Sequence, residues 1–359
     1  MAYSVTFIPG DGIGPEVTDA ARKVLEATGV KFEWDLAFAG DRAQDRYGTP
    51  LPDYLLNSIR KNQIALKGPV TTPIGSGFRS VNVAIRKALD LYVCLRPCKL
   101  YPGAPSPYKR VDVVIVRENS EDLYMGIEYP QWTLQAARLI RFIEDCGDKV
   151  RPDSSFSIKA ISTSASQRIA KYAFEYARAN KRKKVCAIHK ANILKATDGL
   201  FLSTCSEVAK SYPDINFETH IVDSICSQLV RHPEKHDVLL LPNLYGDIVS
   251  ELCAGIVGGL GLAPGANIGD EIAVFEPTHG SAPNYAGKNQ VNPMAMMLCG
   301  VLMLRHLGEK DAADTLEDAI AKVIAQGKFV TYDMKADRDD PTAVGTAEVA
   351  EAVIKKMKE

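Results

Sequence analysis

No large basic block exists in this chain. Its 43 Lys and Arg stand against 44 Asp and Glu, a formal net charge of −1, so nothing here builds the field that grips a nucleic-acid backbone. The longest basic run, KRKK at 181–184, precedes an apolar strand pattern and reads as a solvated helix end. Long apolar runs are missing too. The most apolar stretch, LCAGIVGGLGLAPG at 252–265, is too short and glycine-rich to span a bilayer, so neither nucleic acid nor membrane is expected as a partner. The first residues enter a strand pattern, YSVTFI, without the basic and apolar regions of an export signal. The eight cysteines include no C-x-x-C pair and most lie in apolar runs. This predicts reduced core thiols in a cytoplasmic protein rather than disulfides or zinc.

What remains is a globular composition, 46% hydrophobic and 24% charged, long enough for two packed units or two domains. Strand and helix patterns alternate: VTFI, PEVTDAARKVLEAT, KFEWDLA, PDYLLNSIRKN, QIALKG. Further strand patterns recur at VDVVIV, FSIKAIS, KVCAIHK, FETHIV and DVLLLP, and residues 346–357 form a closing amphipathic helix pattern. The rhythm predicts an α/β fold with a largely parallel sheet and a site beyond the carboxyl ends of strands. Residues 122 to about 162 break it, carry Trp132, and suit an excursion used in subunit contact.

The densest polar segment is RENSEDLYMGIEY, residues 117–129, directly after VDVVIV. One Arg, four acidic residues, an Asn and two Tyr fall within thirteen positions. It is either a charged surface turn or a segment ordered by an anionic substrate and a metal. Arg117 can grip a carboxylate in a bidentate pair, and Tyr124 can donate a proton. Residues 66–97 place Arg86 and Arg96 on either side of an apolar helical stretch, with Ser80 and Asn82 upstream. Three guanidiniums on separate elements either converge on a substrate bearing several carboxylates or sit apart on the surface.

LPNLYGDIVSEL (241–252) puts Asp247 and Glu251 at i and i+4, on one face of a helix. Asp223, after a strand pattern, is a third carboxylate. Three oxygen donors suit Mg2+ or Mn2+, while an Asp at a helix start also serves backbone donors. HKANILKATDG (189–199) offers Lys190 as a base where neighbouring charge lowers its pKa. IPGDGIGPEV (8–17) is a tight strand-to-helix turn or the rim of a nucleotide cleft, with Pro15 at the first helical position. The loop FEPTHGSAPNYAGKNQVNP (275–293) carries His279 and Asn292, and the His is structural or meets an adenine ring.

In this order, over residues 8 to about 333, these motifs resemble the β-decarboxylating dehydrogenase family of isocitrate, isopropylmalate, homoisocitrate and tartrate dehydrogenases. SVNVAIR at 80–86 is most similar to the isocitrate branch, where the Ser and Asn meet the substrate's third carboxylate. The resemblance implies a large domain of residues 1–92 and 258–359, a small domain of 93–257, and a clasp near 122–162 interlocking subunits. It implies a homodimer or higher homo-oligomer with shared sites, Lys190 and Asp223 arriving from the second subunit. Arg86, Arg96 and Arg117, with Ser80 and Asn82, would hold isocitrate; Tyr124 would be the general acid and Lys190 the proton acceptor. Asp223, Asp247 and Glu251 would occupy the metal positions. The cofactor positions would be Lys67, Thr71, Asn192, Glu276, His279, Gly280, Ser281, Ala282, Asn284, Tyr285, Asn292 and Tyr332. The implied reaction oxidises isocitrate to 2-oxoglutarate and CO2.

The chain departs from that pattern at two places. Position 251, usually Asp, is Glu, one methylene longer. Three cations that NADP-specific relatives place against a 2′-phosphate are replaced by Asn284, Ala336 and His232. The acid that NAD users place at 284 is also absent. The balance favours NAD, with NADP or dual use as the alternative. A homoisocitrate or isopropylmalate enzyme is a second alternative, which Ser80 and Asn82 oppose. A non-catalytic regulatory subunit is a third, with Glu251 its only support. Ser80 matches a position where some relatives are phosphorylated; a phosphate there would repel a substrate carboxylate.

Overall fold

The computed structural model of the chain describes residues 2–71 and 80–359. In chain order its strands are β1 (Tyr3–Ile8), β2 (Phe32–Leu36), β3 (Ile64–Lys67), β4 (Val93–Lys99), β5 (Asp112–Glu118) and β6 (Glu128–Tyr129). Then come β7 (Phe156–Ser157), β8 (Lys184–His189), β9 (Asn216–Ile221), β10 (Val238–Leu241), β11 (Ala266–Ile268) and β12 (Ala273–Phe275). The helices are α1 (Gly14–Ala27), α2 (Asp41–Tyr47), α3 (Asp53–Asn62), α4 (Val81–Ala88), α5 (Leu134–Asp145) and α6 (Thr163–Ala179). They continue with α7 (Thr197–Ala209), α8 (Val222–Arg231), α9 (Asn243–Ile256), α10 (Met294–His306), α11 (Lys310–Gln326) and α12 (Thr346–Met357).

Ten strands form one sheet in the order β2-β1-β3-β12-β11-β4-β5-β10-β8-β9. The expected parallel pairing holds within each half: β2, β1, β3 and β12 on one side, and β5, β10, β8 and β9 on the other. Between them β11 and β4 pair antiparallel with each other and with their outer neighbours. The two parallel halves therefore run in opposite senses through one continuous sheet. β11 and β12 are three residues each, too short to show a periodicity in sequence.

The alternation of strand side chains separates two layers. On one face Leu95, Val114 and Val116 join a core with α1, α6, α10, α11 and α12. On the other, Cys98, Val113 and Ile115 pack with Ile225 of α8 and Val249 and Cys253 of α9. Local sequence explains the helices: α1 has Pro at its first turn and buries Val17, Ala20, Ala21, Val24 and Leu25, one apolar stripe. The closing helix falls at Thr346–Met357, as its pattern predicts. FSIKAIS behaves differently. Only Phe156–Ser157 is a strand, paired with β6 in a separate two-stranded ribbon, and the rest runs on to Ser162, which caps α6. Among the described residues no helix is long and apolar enough to cross a membrane.

Candidate active site

β4 and β5 each point one arginine at α9. Arg117, 1% exposed at the end of β5, donates Nε and Nη2 to Asn243 Oδ1 at 3.0 and 2.7 Å. Its Nη1 bonds Asp247 Oδ1, on the next turn of the helix. Arg96 reaches the same Oδ1 at 3.1 Å and donates to Ser250 Oγ at 2.6 Å. Gly246 makes this approach feasible: a Cβ there would stand 2.5 Å from Arg117 Cγ. The Tyr124 hydroxyl donates to Asp247 Oδ2, and its ring lies under the Arg117 guanidinium, 4.7 Å from the centroid. One carboxylate thus collects two guanidiniums and a phenol.

Burial alone would push the Asp247 carboxyl up, but Arg117 and Arg96 hold it below the usual range. Burial, and then the bond to Asp247, raises Tyr124, keeping the phenol protonated and able to donate. Glu251, one turn along α9, is exposed; partial burial nonetheless raises its carboxyl, and Arg96 counters the shift.

The third arginine joins from α4. Arg86 Nη2 donates to Glu276 Oε1 at 2.9 Å, Lys67 Nζ to Glu276 Oε2 at 2.5 Å, and Asn267 Nδ2 to Oε1 at 2.7 Å. Glu276 is buried, which would raise it, yet Lys67 and Arg86 drive its pKa far down. Asn119, from the polar segment after β5, bonds Asn267 at 3.1 Å and lies 3.4 Å from Arg86 Nη1. Electrostatics ties the trio together: Arg86 and Arg96 both act on Arg117, which burial and their repulsion lower. Arg96 and Arg117 thus meet on Asp247, while Arg86, bound to Glu276, lies near enough for its charge to act on Arg117. Ser80 caps α4 by accepting from Val83 N at 3.5 Å, and on its first turn the Asn82 amide oxygen is buried without a partner among the described residues. Residues 72–79, just upstream, lie outside the described residues.

Three of the four acids in segment 117–129 fix the turn, one from within and two by tying it to other elements. Glu118 accepts from the amides of Ser120 and Glu121 at 2.8 and 3.0 Å. Glu121 accepts from Ser162 N and Oγ, and Asp122, fully buried, from Leu244 N at 2.9 Å. The chain's own amides thus stabilise much of a segment that in sequence suggested only a surface turn or a ligand.

Lys190 and Asp223 form a separate pair. Lys190 follows β8, Asp223 opens α8, and ammonium and carboxylate are bonded to each other. That bond holds the Asp223 pKa down. The Asp223 side chain is 68% exposed. Among the described residues no hydrogen bond or ion pair links this pair to Asp247, Glu251 or Tyr124, and no three Asp, Glu, His or Cys side chains gather as a metal cage. The three carboxylates assigned to a metal from sequence are thus divided, Asp247 and Glu251 here and Asp223 elsewhere. Asp247 and Glu251 alone offer hard oxygen donors on one helix face, which fits a cation completed by substrate oxygens and one outside carboxylate.

The remaining positions form a rim of three loops. Gly10 and Gly12 have φ of +79° and +56°, and a Cβ on them would stand 2.2 Å from Pro69 O and 2.0 Å from Ser281 O. Ile13 N donates to Ser281 O at 2.9 Å, and the Thr71 and Ser281 hydroxyls lie 2.9 Å apart. Buried Asp11 accepts from the amides of Asp41 and Thr71. His279 Nδ1 faces Gly280 O at 3.1 Å, its Nε2 is buried without a partner among the described residues, and burial lowers its pKa. Tyr285 and Tyr332 are stacked 6.5 Å apart with Asn284 exposed beside them, and Asn292 donates to Asp333 at 3.1 Å. Ala282 adopts a left-handed φ of +36°. Asn192 is exposed on the Lys190 loop, away from this rim's contacts.

Sequence reasoning passed over Asn119, Asn243, Ser250, Asn267 and Asp11, all of which hold the assigned residues in place. Four lie inside or beside the motifs already singled out, so motif membership was the available signal; Asn267, on the short β11, had none.

The comparisons with known proteins bear on the family and the fold. The family model for isocitrate/isopropylmalate dehydrogenase matches residues 4–353. The chain is 46% identical over 332 residues to isocitrate dehydrogenase [NAD] catalytic subunit 5, mitochondrial, of Arabidopsis thaliana, covering 92% of this chain and 84% of that one. It is also 46% identical over 328 residues to the chloroplastic 3-isopropylmalate dehydrogenase of Solanum tuberosum, covering 91% and 87%. The crystal structure of isocitrate dehydrogenase from Methylococcus capsulatus superposes with a TM-score of 0.91 at 48% identity, over 100% of both chains. With the family model spanning nearly its whole length, the chain belongs to the isocitrate/isopropylmalate dehydrogenase family.

Proposed function

We propose that this chain catalyses the metal-dependent oxidative decarboxylation of isocitrate to 2-oxoglutarate and CO2, with NAD as hydride acceptor. The observation that carries the substrate is the grouping of Arg86, Arg96 and Arg117, with the unpartnered Asn82 amide on the helix that Ser80 caps. Three guanidiniums suit three carboxylates, and the polar Asn82 side chain suits a third carboxylate better than an apolar tail.

Asp247 and Glu251 would hold a divalent cation, which when bound would supply Lewis-acid polarisation to the substrate. The arginines orient the substrate. Lys190 accepts the hydroxyl proton as hydride leaves for the nicotinamide. After CO2 departs, Tyr124 donates a proton to the carbon that carried the lost carboxylate. Among the described residues no hydrogen bond or ion pair joins Lys190 and Asp223 to Asp247, which supports a site completed by a second copy. The exposed pair supports this, as does the excursion around α5, where Trp132, Leu134 and Phe142 are 74%, 63% and 63% exposed.

For the nucleotide, neutral Asn284 and Ala336, and a His232 already paired with Glu234 at 3.6 Å, offer little to a 2′-phosphate. One observation favours a second reading, NADP use: Lys288 and Arg338 line the same cleft, of about 700 Å3, as Tyr285 and Tyr332. Initial rates on isocitrate, isopropylmalate and homoisocitrate, with Mg2+ or Mn2+ and either nucleotide, test the whole proposal. The expected result is turnover of isocitrate alone, with a higher kcat/KM for NAD. Preference for isopropylmalate or homoisocitrate would overturn the substrate, and preference for NADP would overturn the reading of position 284. No turnover would point to a subunit needing a catalytic partner.

A further inference from the structure

The two proton-handling groups of the proposed function sit on elements that share one buried ion cluster. Lys159, in the segment leaving β7, places its ammonium 3.0 Å from Asp198 Oδ1 and 3.4 Å from Asp122 Oδ1. Both carboxylates are fully buried, and Lys159 is 14% exposed. The ammonium also lies 4.5 Å from the centre of the Tyr245 ring.

Each partner is tied to a different working element. Asp122, at φ +68°, begins the turn Asp122–Met125 that carries Tyr124, and its other oxygen receives Leu244 N at the start of α9, one turn before Asp247. Asp198, in the first turn of α7, uses its other oxygen to accept the Lys190 amide at 2.7 Å. Among the described residues no hydrogen bond or ion pair joins Tyr124 and Asp247 directly to Lys190 and Asp223. Among the described residues the Lys159 ammonium joins two buried carboxylates, one tied to each element, and the Tyr245 hydroxyl of α9 also bonds Asp198.

We propose that Lys159 is a positioning residue which holds the Tyr124 turn and the Lys190 loop in register through Asp122 and Asp198. This rests on the proposed roles of Tyr124 and Lys190. Under the two-copy arrangement those groups serve different sites, so the cluster also ties one copy's acid to the base it lends its partner. Two carboxylates facing each other without the ammonium would repel and draw in water, and both segments would loosen together. A purely structural ion pair would lower stability and leave the folded protein's chemistry unchanged.

The test compares Lys159→Met, Lys159→Arg and the double variant Lys159→Met/Asp198→Asn, which carries one fewer orphaned carboxylate in case the single variant fails to fold. The first readout, backbone amide exchange, is independent of activity. Lys159→Met or the double variant is expected to speed exchange at least tenfold at both 122–126 and 189–194, with 64–68 unchanged. The second is kinetic: kcat on isocitrate is expected to fall 10- to 100-fold with KM for the nucleotide within twofold, and Lys159→Arg to recover most of the loss. Exchange that rises at only one segment or neither, or a folded double variant with wild-type kcat, overturns the proposal. A wild-type chain inactive on isocitrate would sink the substrate assignment while leaving the exchange experiment decisive for the cluster.

Discussion

Gly246→Ala separates the stability of this fold from the competence of its site. The added methyl would sit 2.5 Å from Arg117 Cγ and 2.7 Å from its Cβ. Ordinary contact begins near 3.4 Å, so something must yield by about 0.9 Å. The stem of Arg117 is anchored in a central strand, so the displacement passes to the guanidinium or to α9. Overpacking of this kind costs about 1–3 kcal/mol. Replacing a helical Gly with Ala returns about 1 kcal/mol. The net loss is about 0–2 kcal/mol, and at roughly 2–4 °C per kcal/mol the melting temperature falls by less than about 8 °C. Activity follows a steeper rule, since a misplacement of about 1 Å in a substrate-gripping group costs on the order of 100-fold. The expected variant is folded at 25 °C, with kcat/KM for the substrate reduced about 100-fold and nucleotide affinity retained. Thermal melting followed by steady-state kinetics on the same preparation decides it. Wild-type kcat/KM in a folded Gly246→Ala protein would refute the role given to the Arg117–Asp247 contact.

Other expectations follow from the same geometry. Tyr124→Phe removes the phenol but keeps the ring under Arg117, so kcat should fall about 100- to 10,000-fold with substrate KM nearly unchanged, measured by initial rates. Glu276 has a folded pKa well below its unfolded value, so its stabilising contribution is present above the ordinary carboxylate range and disappears as pH falls through the folded value. Glu276→Gln leaves Lys67 and Arg86 buried without their counter-ion and should cost about 3–5 kcal/mol at pH 7, with a smaller deficit at pH 3 in urea titrations; an equal deficit at both would contradict this. Asn284→Asp should raise the NAD/NADP ratio of kcat/KM, and Arg338→Ala should raise it further by weakening NADP alone. A ratio unmoved by either would remove these positions from nucleotide choice.

The α/β rhythm was legible because both strand and helix periods are clean in segments such as VTFI and PEVTDAARKVLEAT, and the arginines stood out because each ends or flanks an apolar run. Their meeting point was not legible. It depends on β4 and β5 pairing antiparallel across the middle of the sheet and on α9 packing over both, which are contacts between residues about 20 to 150 positions apart. The supporting amides escaped notice for a related reason: an Asn that fixes an Arg carries no pattern of its own. FSIKAIS misled because alternation marks a strand without saying which sheet receives it, and here β6 is its partner. The acids of segment 117–129 show the limit of reading charge as chemistry, since Glu118 accepts from neighbouring amides while Glu121 and Asp122 accept from the amides of Ser162 and Leu244, distant in sequence. The carboxylates assigned to a metal from sequence divide because i, i+4 spacing guarantees that Asp247 and Glu251 share a face, whereas nothing in spacing brings Asp223 to them.

The charge of the site constrains what form of substrate it can accept. Arg86, Arg96, Arg117 and Lys67 bring four cations to the cleft, and Asp247, Glu251 and Glu276 bring three carboxylates, leaving one positive charge. A bare tricarboxylate would add three negative charges and meet Asp247 where Arg96 and Arg117 already hold it. The same substrate carrying a divalent ion adds one negative charge and presents Asp247 and Glu251 with a cation, so the arginines can turn to its carboxylates. Affinity for the proposed substrate should therefore rise at least tenfold when Mg2+ or Mn2+ is added, measured calorimetrically without nucleotide. Asp247→Asn gives the sharper test, because it removes the repelling charge together with the cation ligand. That variant should bind the metal-free tricarboxylate more tightly than the wild type does, and gain little from added metal, even though turnover is lost. Weaker metal-free binding by Asp247→Asn would show that Asp247 serves mainly to orient the arginines, and the charge argument would fail.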